Sequence, residues 1–588
     1  MNKVKHANRF LSFYFPYLLF FLCTFVWFGF FAEHISLYQE KSSLFVFSGE
    51  YLFLHLRQPG GFLIYLGKFF SAFFFFPLAG SLIISITLCF IVYFVSAIIG
   101  LLSNRSSVFI PLLTGAAFFF LQSNYQYLFY NSLALLLQLA IFCLTARYLK
   151  CWLPVVFFPA WYFLTGSFAL IFFIMYALYL IIYIKGRSWM KVISLTGLVT
   201  LAILISKELL FFHPVRTLLV YPFSLNDIGG QFKLFIPLVL FISSLPFISK
   251  INLRFPLSFR KHENVFKTIA LFFPIIILLI IALLRYDKKT RQYFIVEKLF
   301  YQGRYDDVIE YNIKNPSNNI LTIFLNNIAL CETGKLNDML FHFRQSPDGQ
   351  TLFLKWEMVG EILKRGGYFY YATGMINEAQ RWAFENMVIR GHSPEGLKML
   401  IKTELINGNY QMASKYINVL KRTIFYRDEA VMFEKLLFDD QAVDAHPELG
   451  AKRKEKTEHD FFSITDDPVI NIEIMLTSDS LNRKAFDYKM AYHLLRKAYP
   501  EILSEIPKLE NFGYDKIPAH LDEALVAYRI LKLGPLPDQP MMQGDKQTEF
   551  RFTQFLKTFQ IYGNNLQSAE PALRQKFGKT FWYWAFYK

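Results

Sequence analysis

Residues 33–76 read EHISLYQEKSSLFVFSGEYLFLHLRQPGGFLIYLGKFFSAFFFF. The stretch follows Phe10–Ala32, an uncharged apolar run long enough to cross a hydrocarbon core of about 30 Å. It carries Glu33, Glu40 and Glu50, three of the five carboxylates found before residue 263; Glu208 and Asp227 are the others. Lys3, Lys5 and Arg9 precede the apolar run, and no small-residue cleavage site follows it. That pattern predicts a retained signal-anchor with a cytoplasmic N-terminus. Residues 33–76 then form the first outer loop.

Working outward, 45 of the 67 phenylalanines lie before residue 285, clustered in unbroken apolar runs, which indicates a membrane protein. Residues 1–285 hold 21 Lys and Arg against 6 Asp and Glu, whereas the remainder holds 40 against 39. Of the net charge of +16, +15 therefore belongs to the apolar half, the pattern of cytoplasmic loops and not of a nucleic-acid surface. Eight further spans are predicted at about 77–102, 108–122, 127–146, 152–165, 168–184, 192–212, 232–248 and 268–285. A re-entrant pair around Thr165–Ser167 is the alternative for 157–172. Nine spans put five basic clusters on the cytoplasmic side: the N-terminus; Arg105; Arg147 and Lys150; Lys185, Arg187 and Lys191; and Lys250, Arg254, Arg260, Lys261 and Lys267. An odd count puts the tail outside.

The same model places all five early carboxylates on the outer face. They either solvate loops or act there, since carboxylates near hydrocarbon are costly and often functional. Glu50–Leu56 and Gly61–Phe76 flank a Gln58-Pro59-Gly60-Gly61 turn and read as helices lying in the interface, with Lys68 snorkelling. The alternative joins 61–76 to the next span.

After Arg285 charges become frequent and apolar residues recur at helical spacing. Gly303, Gly334, Gly374 and Gly408 each open a similar pattern, with Val308, Met339, Ala379 and Ala413 five residues on. Their spacings of 31, 40 and 34 lie around the 34-residue tetratricopeptide (TPR) period. Pro316 and Pro394 break helices between units. Residues 446–460 read as a charged loop, and helical patterns resume at 467–476, 482–497, 519–533, 546–562 and 567–586. The aromatic end, residues 581–587, reads as a docking cap, with a partner or membrane contact as the alternative. Cys331 is the tail's one cysteine and reads as a buried small hydrophobe. No zinc-type cysteine spacing exists in the chain.

The fold expected is all-α: a polytopic transmembrane helix bundle of about nine spans over 1–290, followed by an extracytoplasmic TPR-like α-solenoid. Its repeats occupy 291–440 and a C-terminal helical repeat or cap region occupies 461–588.

No P-loop, dinucleotide glycine motif, H-E-x-x-H or nucleophile elbow stands in a fitting context. The residues left to carry chemistry are Glu33, His34, Glu40, Glu50, His55, Arg57, Glu208, His213, Arg216 and Asp227. Glu33 and Glu40 are the candidate catalytic carboxylates, as base or as ligands of a divalent cation. Arg57 and Arg216 are candidate phosphate contacts, and His34, Glu50 and Asp227 candidate metal ligands.

The layout resembles the integral-membrane glycosyltransferases of the C superfamily. Those have a cytoplasmic N-terminus and a first span followed by a long outer loop with interfacial helices and a catalytic acid. A branch of them, the transmembrane-and-tetratricopeptide O-mannosyltransferases, carries helical repeats as its tail. The resemblance implies that Glu33 stands in the place of the catalytic acid, and that the donor is a polyprenyl-phosphate sugar. The usual Asp-Asp or Asp-Glu pair is absent, because His34 follows Glu33. The chain is also similar to a family of uncharacterised bacterial membrane proteins, through the first-loop Glu, the Pro-Gly-Gly turn, and the segments Arg483–Ile502 and Ile517–Tyr528. The expected location is thus the bacterial inner membrane. The expected partners are membrane lipid, a lipid-linked sugar, and an envelope protein or glycan on the repeats, with no nucleic acid. A non-catalytic envelope scaffold and a lipid or glycan transporter are the other readings.

Overall fold

A computed structural model of the chain describes residues 15–42, 44–103, 108–148, 153–184, 188–223, 233–251, 263–356, 361–456, 467–535 and 540–588. Among the described residues every regular element is helical. The chain divides into two compact units, one up to Asp287 with Arg422–Phe425 added, the other Lys288–Lys421 and Tyr426–Lys588.

In the first unit the long helices are α1 (Phe15–Phe31), α5 (Pro77–Ser103), α6 (Phe109–Gln122), α7 (Phe129–Tyr148), α8 (Leu153–Thr165), α9 (Ala169–Tyr183), α10 (Ser188–Ile205) and α14 (Glu263–Arg285). Shorter ones are α2 (Glu33–Ser42), α3 (Gly49–Leu56), α4 (Gly61–Ala72), α11 (Val215–Val220), α12 (Phe235–Ser243) and α13 (Leu245–Lys250). Side-chain contacts show which helix ends share a level. Phe28 packs on Phe119 at 5.4 Å, Trp27 on Tyr286 at 6.3 Å, and the Arg285 guanidinium lies 3.8 Å over Phe120. The C-terminal ends of α1, α6 and α14 therefore meet at one pole of the unit. At the opposite pole Tyr17 donates to Ser96 at 2.9 Å and Tyr183 donates to the Pro246 carbonyl at 3.1 Å.

Nine spans are expected, and the structure corrects this number. Among the described residues four helical stretches are long and apolar enough to cross a membrane: Pro77–Ser103, Phe129–Tyr148, Val156–Tyr183 and Trp189–Phe211. A fifth counts if α1 and α2, bent by 71° at their junction, form one broken span. Shorter apolar stretches among the described residues include Phe109–Gln122 and Phe272–Arg285. The 14 residues of α6 rise only about 21 Å, and the expected span over 232–248 is split at Ser244 into α12 and α13. Val156–Tyr183 is itself not a straight rod. The Phe158 and Phe173 rings lie 6.2 Å apart, whereas 15 residues of straight helix would separate them by about 22 Å. α8 and α9 fold back on each other at Gly166, the place where the sequence allowed a re-entrant pair.

In the second unit the four repeat glycines all adopt left-handed backbone, φ +69° at Gly303, +68° at Gly334, +93° at Gly374 and +74° at Gly408. Each turns the chain between two helices, a conformation costly for any residue with a Cβ. Val308, Ala379 and Ala413 five residues on are fully buried. The pairs do not continue as an even stack. Residues 343–366 carry no helix among those described. The later chain folds back on the middle: Asn482 donates to the Thr373 carbonyl at 2.8 Å, Lys484 pairs with Glu332 at 2.6 Å, and Asn337 donates to the Asp487 carbonyl at 3.1 Å. A solenoid in which each repeat meets only its neighbours would lack such contacts.

Two smaller expectations change. Residues 447–455 are helical where a charged loop is expected, because Pro447 starts the helix, His446 caps it, and Lys452 is buried against Glu455 and the Ala372 carbonyl. The pattern over 567–586 is two helices, Leu566–Phe577 and Phe581–Tyr587, the second capped by Thr580. Phe581, Trp582, Tyr583 and Trp584 are buried within the unit, held by Trp582 donating to the Glu523 carbonyl at 2.7 Å and Trp584 to the Leu495 carbonyl at 3.2 Å. The aromatic end is thus a docked helix. Cys331 is buried as well.

Asp487 is buried and accepts from Tyr514 and Asn337. Burial pushes its carboxyl up to about 6. The folded state thus holds a proton that an unfolded aspartate, near 3.9, releases. This contribution is full below about pH 4 and is lost as pH rises through 6. Asp487→Asn should match the parent in denaturant unfolding at pH 4 and exceed it at pH 7 by up to about 3 kcal/mol; a variant less stable at pH 7 would contradict the assignment.

Candidate functional site

The pole where α1, α6 and α14 end also holds α2, α3 and α4. α1 closes in a π-helical turn, Trp27–Phe31, whose Trp27 carbonyl accepts from the Ala32 amide at 2.9 Å. Such turns often mark functional positions in helices. Glu33 follows directly, half-buried in the first turn of α2, where the helix dipole favours a negative charge. Glu40 and His34 are buried, each 5 % exposed. Seven residues separate Glu33 from Glu40, so both lie on one face of α2, about 10.5 Å apart along its axis. That is too far for the two to share a proton or to grip one cation at ligand distances of 2.0–2.6 Å.

Gln39 fixes α2 in place. Its amide donates to the Tyr127 carbonyl at 3.0 Å and accepts from the Phe129 amide at 3.0 Å. The side chain closes the backbone of the α6–α7 turn as a strand partner would. Ser36 sits against Gly80, where a Cβ would approach its Oγ to 2.5 Å.

The Pro-Gly-Gly turn between α3 and α4 is the centre of the pole. The Gly60 amide donates to the Phe163 carbonyl at 3.0 Å at the end of α8. A Cβ on Gly60 would stand 2.8 Å from the Gly166 nitrogen, and one on Gly166 2.8 Å from the Tyr221 carbonyl and 2.9 Å from that of Pro59. Both glycines have positive φ, +74° and +61°. Three backbones thus touch at one knot. Ser167 ties the third, its amide donating to Tyr221 at 3.0 Å and its hydroxyl to Val220 at 2.8 Å. Tyr162 donates to the Leu218 carbonyl at 2.8 Å and Tyr130 to that of Pro222 at 3.1 Å. Arg57 lies two residues before Pro59, and Arg216 at the start of α11, so the knot joins the two elements that carry the predicted phosphate contacts. Both arginines are exposed.

α3 and α4 are separate helices, and the short 3-10 turn Phe73–Phe75 and extended Phe76 divide α4 from α5. Phe47, Phe53 and Leu54 form an exposed apolar edge there. Lys68 lies 5.6 Å over the Tyr51 ring, and His55 bonds the Tyr51 carbonyl at 2.8 Å. Glu50 is 94 % exposed in the first turn of α3. Glu208 lies in a second π-helical turn, Ser206–Phe211, exposed and paired with Lys207 at 2.5 Å. His213 is half-buried two residues beyond that turn. Asp227 lies outside the described residues. No three His, Cys, Asp or Glu side chains gather as a metal set among the described residues, so His34 and Glu50 are not brought together as ligands. Reasoning from sequence passed over Gln39 and Tyr130; a lone amide two turns into an acid-bearing helix was the available signal for the first.

A model of the family of unknown function DUF6057 matches residues 8–588. The chain belongs to that family. The match covers the helical pole and the second unit alike, so the two units are parts of one family architecture. No curated protein matches the chain, and no solved structure does.

Gly60→Ala would force a β-carbon into the knot and a strained φ, a cost of about 1–3 kcal/mol. Its melting temperature in detergent should fall well below the parent's. Gly197→Ala, in α10 with nothing within 4 Å, should leave melting unchanged or raise it. Equal melting of Gly60→Ala and the parent would sink the knot as a packing centre.

Proposed function

We propose that this protein is an inner-membrane enzyme of the bacterial envelope, which transfers a sugar from a polyprenyl-phosphate carrier at the pole built by α2–α4. In this reading the four long apolar stretches and the broken α1–α2 pair traverse the membrane, the shorter helices pack within the bundle, and the N-terminus is cytoplasmic. The TPR-like helical hairpins of the second unit then stand in the periplasm and present an envelope protein or glycan as acceptor.

One observation carries the reading: Glu40 is buried on the same helix face as Glu33, just beyond a broken apolar helix. A carboxylate kept among apolar helices is costly and is retained for chemistry or for a specific partner. The charges at or near the surface are also divided. Glu33, Glu50, Glu208, Arg57 and Arg216 lie at the pole of the knot, whereas Arg147, Lys191 and Lys250 lie toward the other end of their helices.

The reaction needs a base for the acceptor hydroxyl and a hold on the leaving phosphate. Glu33, the less buried carboxylate, takes the proton as the acceptor oxygen bonds the sugar's anomeric carbon and the bond to phosphate breaks. Arg57 and Arg216 hold the phosphate that leaves. A divalent cation would neutralise that phosphate when bound; a single carboxylate with the carrier's own oxygens would have to hold it, since Glu33 and Glu40 are too far apart to share one.

A second reading, a membrane-anchored scaffold with no chemistry, is favoured by the separation of the two carboxylates. Glu33→Gln and Glu40→Gln distinguish them. Each should abolish complementation of a deletion strain, or lower it at least about tenfold, with normal protein in the membrane. Full complementation by both, combined with its loss on truncation after Arg285, would replace the enzyme with the scaffold.

A further inference from the structure

Within the second unit three half-buried tyrosines, a buried fourth, Tyr371, and a set of paired charges lie together. Tyr301 packs on Tyr368 at 5.4 Å, and Phe300 meets Tyr368 at 5.3 Å and Tyr305 at 5.7 Å. Tyr368 and Tyr371 are three residues apart in the helix Gly367–Thr373 and share its face. The Tyr371 hydroxyl donates to Glu448 at 2.7 Å, and Lys402 holds the same carboxylate at 2.7 and 3.0 Å. Lys484 pairs with Glu332 at 2.6 Å, and Lys452 reaches toward Glu332 at 3.8 Å. Tyr301, Tyr305 and Tyr368 are half-buried: neither packed away nor projecting. The Lys452 and Lys402 ammonium groups lie 5.8 and 5.9 Å from the Tyr371 ring, and Lys452 is also the group that reaches Glu332, so the two ion pairs share one enclosure with that ring.

We propose that this surface binds an uncharged oligosaccharide, with Tyr305 and Tyr368 as platforms and the Glu332–Lys484 and Glu448–Lys402 pairs as hydroxyl partners. With Glu455 on Lys452 at 2.7 Å the three lysines face three carboxylates, so the surface offers no field to concentrate an anion or a cation. Phenol rings present an apolar face together with a hydroxyl, which suits the alternating C–H and O–H faces of a sugar. Carboxylates accept while ammonium groups and phenols donate, so each hydroxyl of a polyol finds both kinds of partner. A few placed polar groups on an aromatic wall are the usual make-up of a small-molecule site. The service of this surface as an acceptor hold rests on the transfer reaction proposed above; its binding does not.

The test uses the full chain in lipid nanodiscs and an array of neutral oligomers of glucose, mannose and N-acetylhexosamine, with affinities measured by calorimetry. At least one neutral oligomer should bind, and with little dependence on salt. Tyr305→Ala should weaken it at least about tenfold, about 1.4 kcal/mol, and Tyr305→Phe less. Binding by no neutral oligomer overturns the proposal, as does selective, salt-sensitive binding of charged glycans or peptides. Parent-like affinity in a folded Tyr305→Ala overturns it too; where that variant melts early, parent-like affinity of Tyr305→Phe does so. Loss of the transfer reading through Glu33→Gln and Glu40→Gln leaves these outcomes unchanged, so the two failures are told apart.

Discussion

The contact between the backbones of Gly60 and Gly166 is the constraint on which the first unit depends. It brings the α3–α4 turn, the α8–α9 fold-back and the segment after α11 to one point, with main-chain carbonyls and amides satisfied across it. Polar backbone in apolar surroundings must find such partners. Irregular chain is tolerated at that level only where it is packed against other protein. The knot therefore allows three breaks in helical structure to coexist at one pole, and α2 hangs from the same pole through Gln39. Removing the glycines' freedom would separate the elements that bear Arg57 and Arg216.

The ends of the helices make a second point. Because α1, α6 and α14 end together, the chain departs from the first unit at the pole that begins with Glu33. Whatever the number of full crossings, Arg285 and Glu33 share a side of the unit. The charge pattern read along the chain thus becomes a spatial one. Glu33, Glu40 and Glu50 lie on the helices of the knot's pole together with Arg57, Lys68 and Arg216, and Arg147, Lys191 and Lys250 stand away from it. The orientation proposed above follows from the rule that basic residues stay in the cytoplasm.

Much of this was legible in the residues, for identifiable reasons. Apolar runs bounded by charge gave helices, and Gly303, Gly334, Gly374 and Gly408 gave turns, because both signals are local. The Pro-Gly-Gly turn separated α3 from α4 as expected. Span lengths were not legible: periodicity does not register a break such as Ser244, nor the difference between 14 and 20 residues of helix. The folding back of Asn482, Lys484 and Asp487 onto the middle of the second unit was also hidden, since those contacts cross about 110 to 150 residues of chain. At the candidate site the acids were visible as rare charges. Their spacing on one helix face, and the amide of Gln39 that holds that helix, appear only in three dimensions.

The division of the first unit into two poles on opposite sides of a membrane is the central claim, and one labelling experiment bears on it directly. Gln58→Cys, exposed beside the knot, and Tyr148→Cys, exposed at the far end of α7, are introduced singly after replacement of the native cysteines. Intact spheroplasts are then treated with a membrane-impermeant maleimide. Labelling at Gln58→Cys at once, and at Tyr148→Cys only after permeabilisation, is the predicted result. Equal labelling of both before permeabilisation, or the reverse order, would contradict the account.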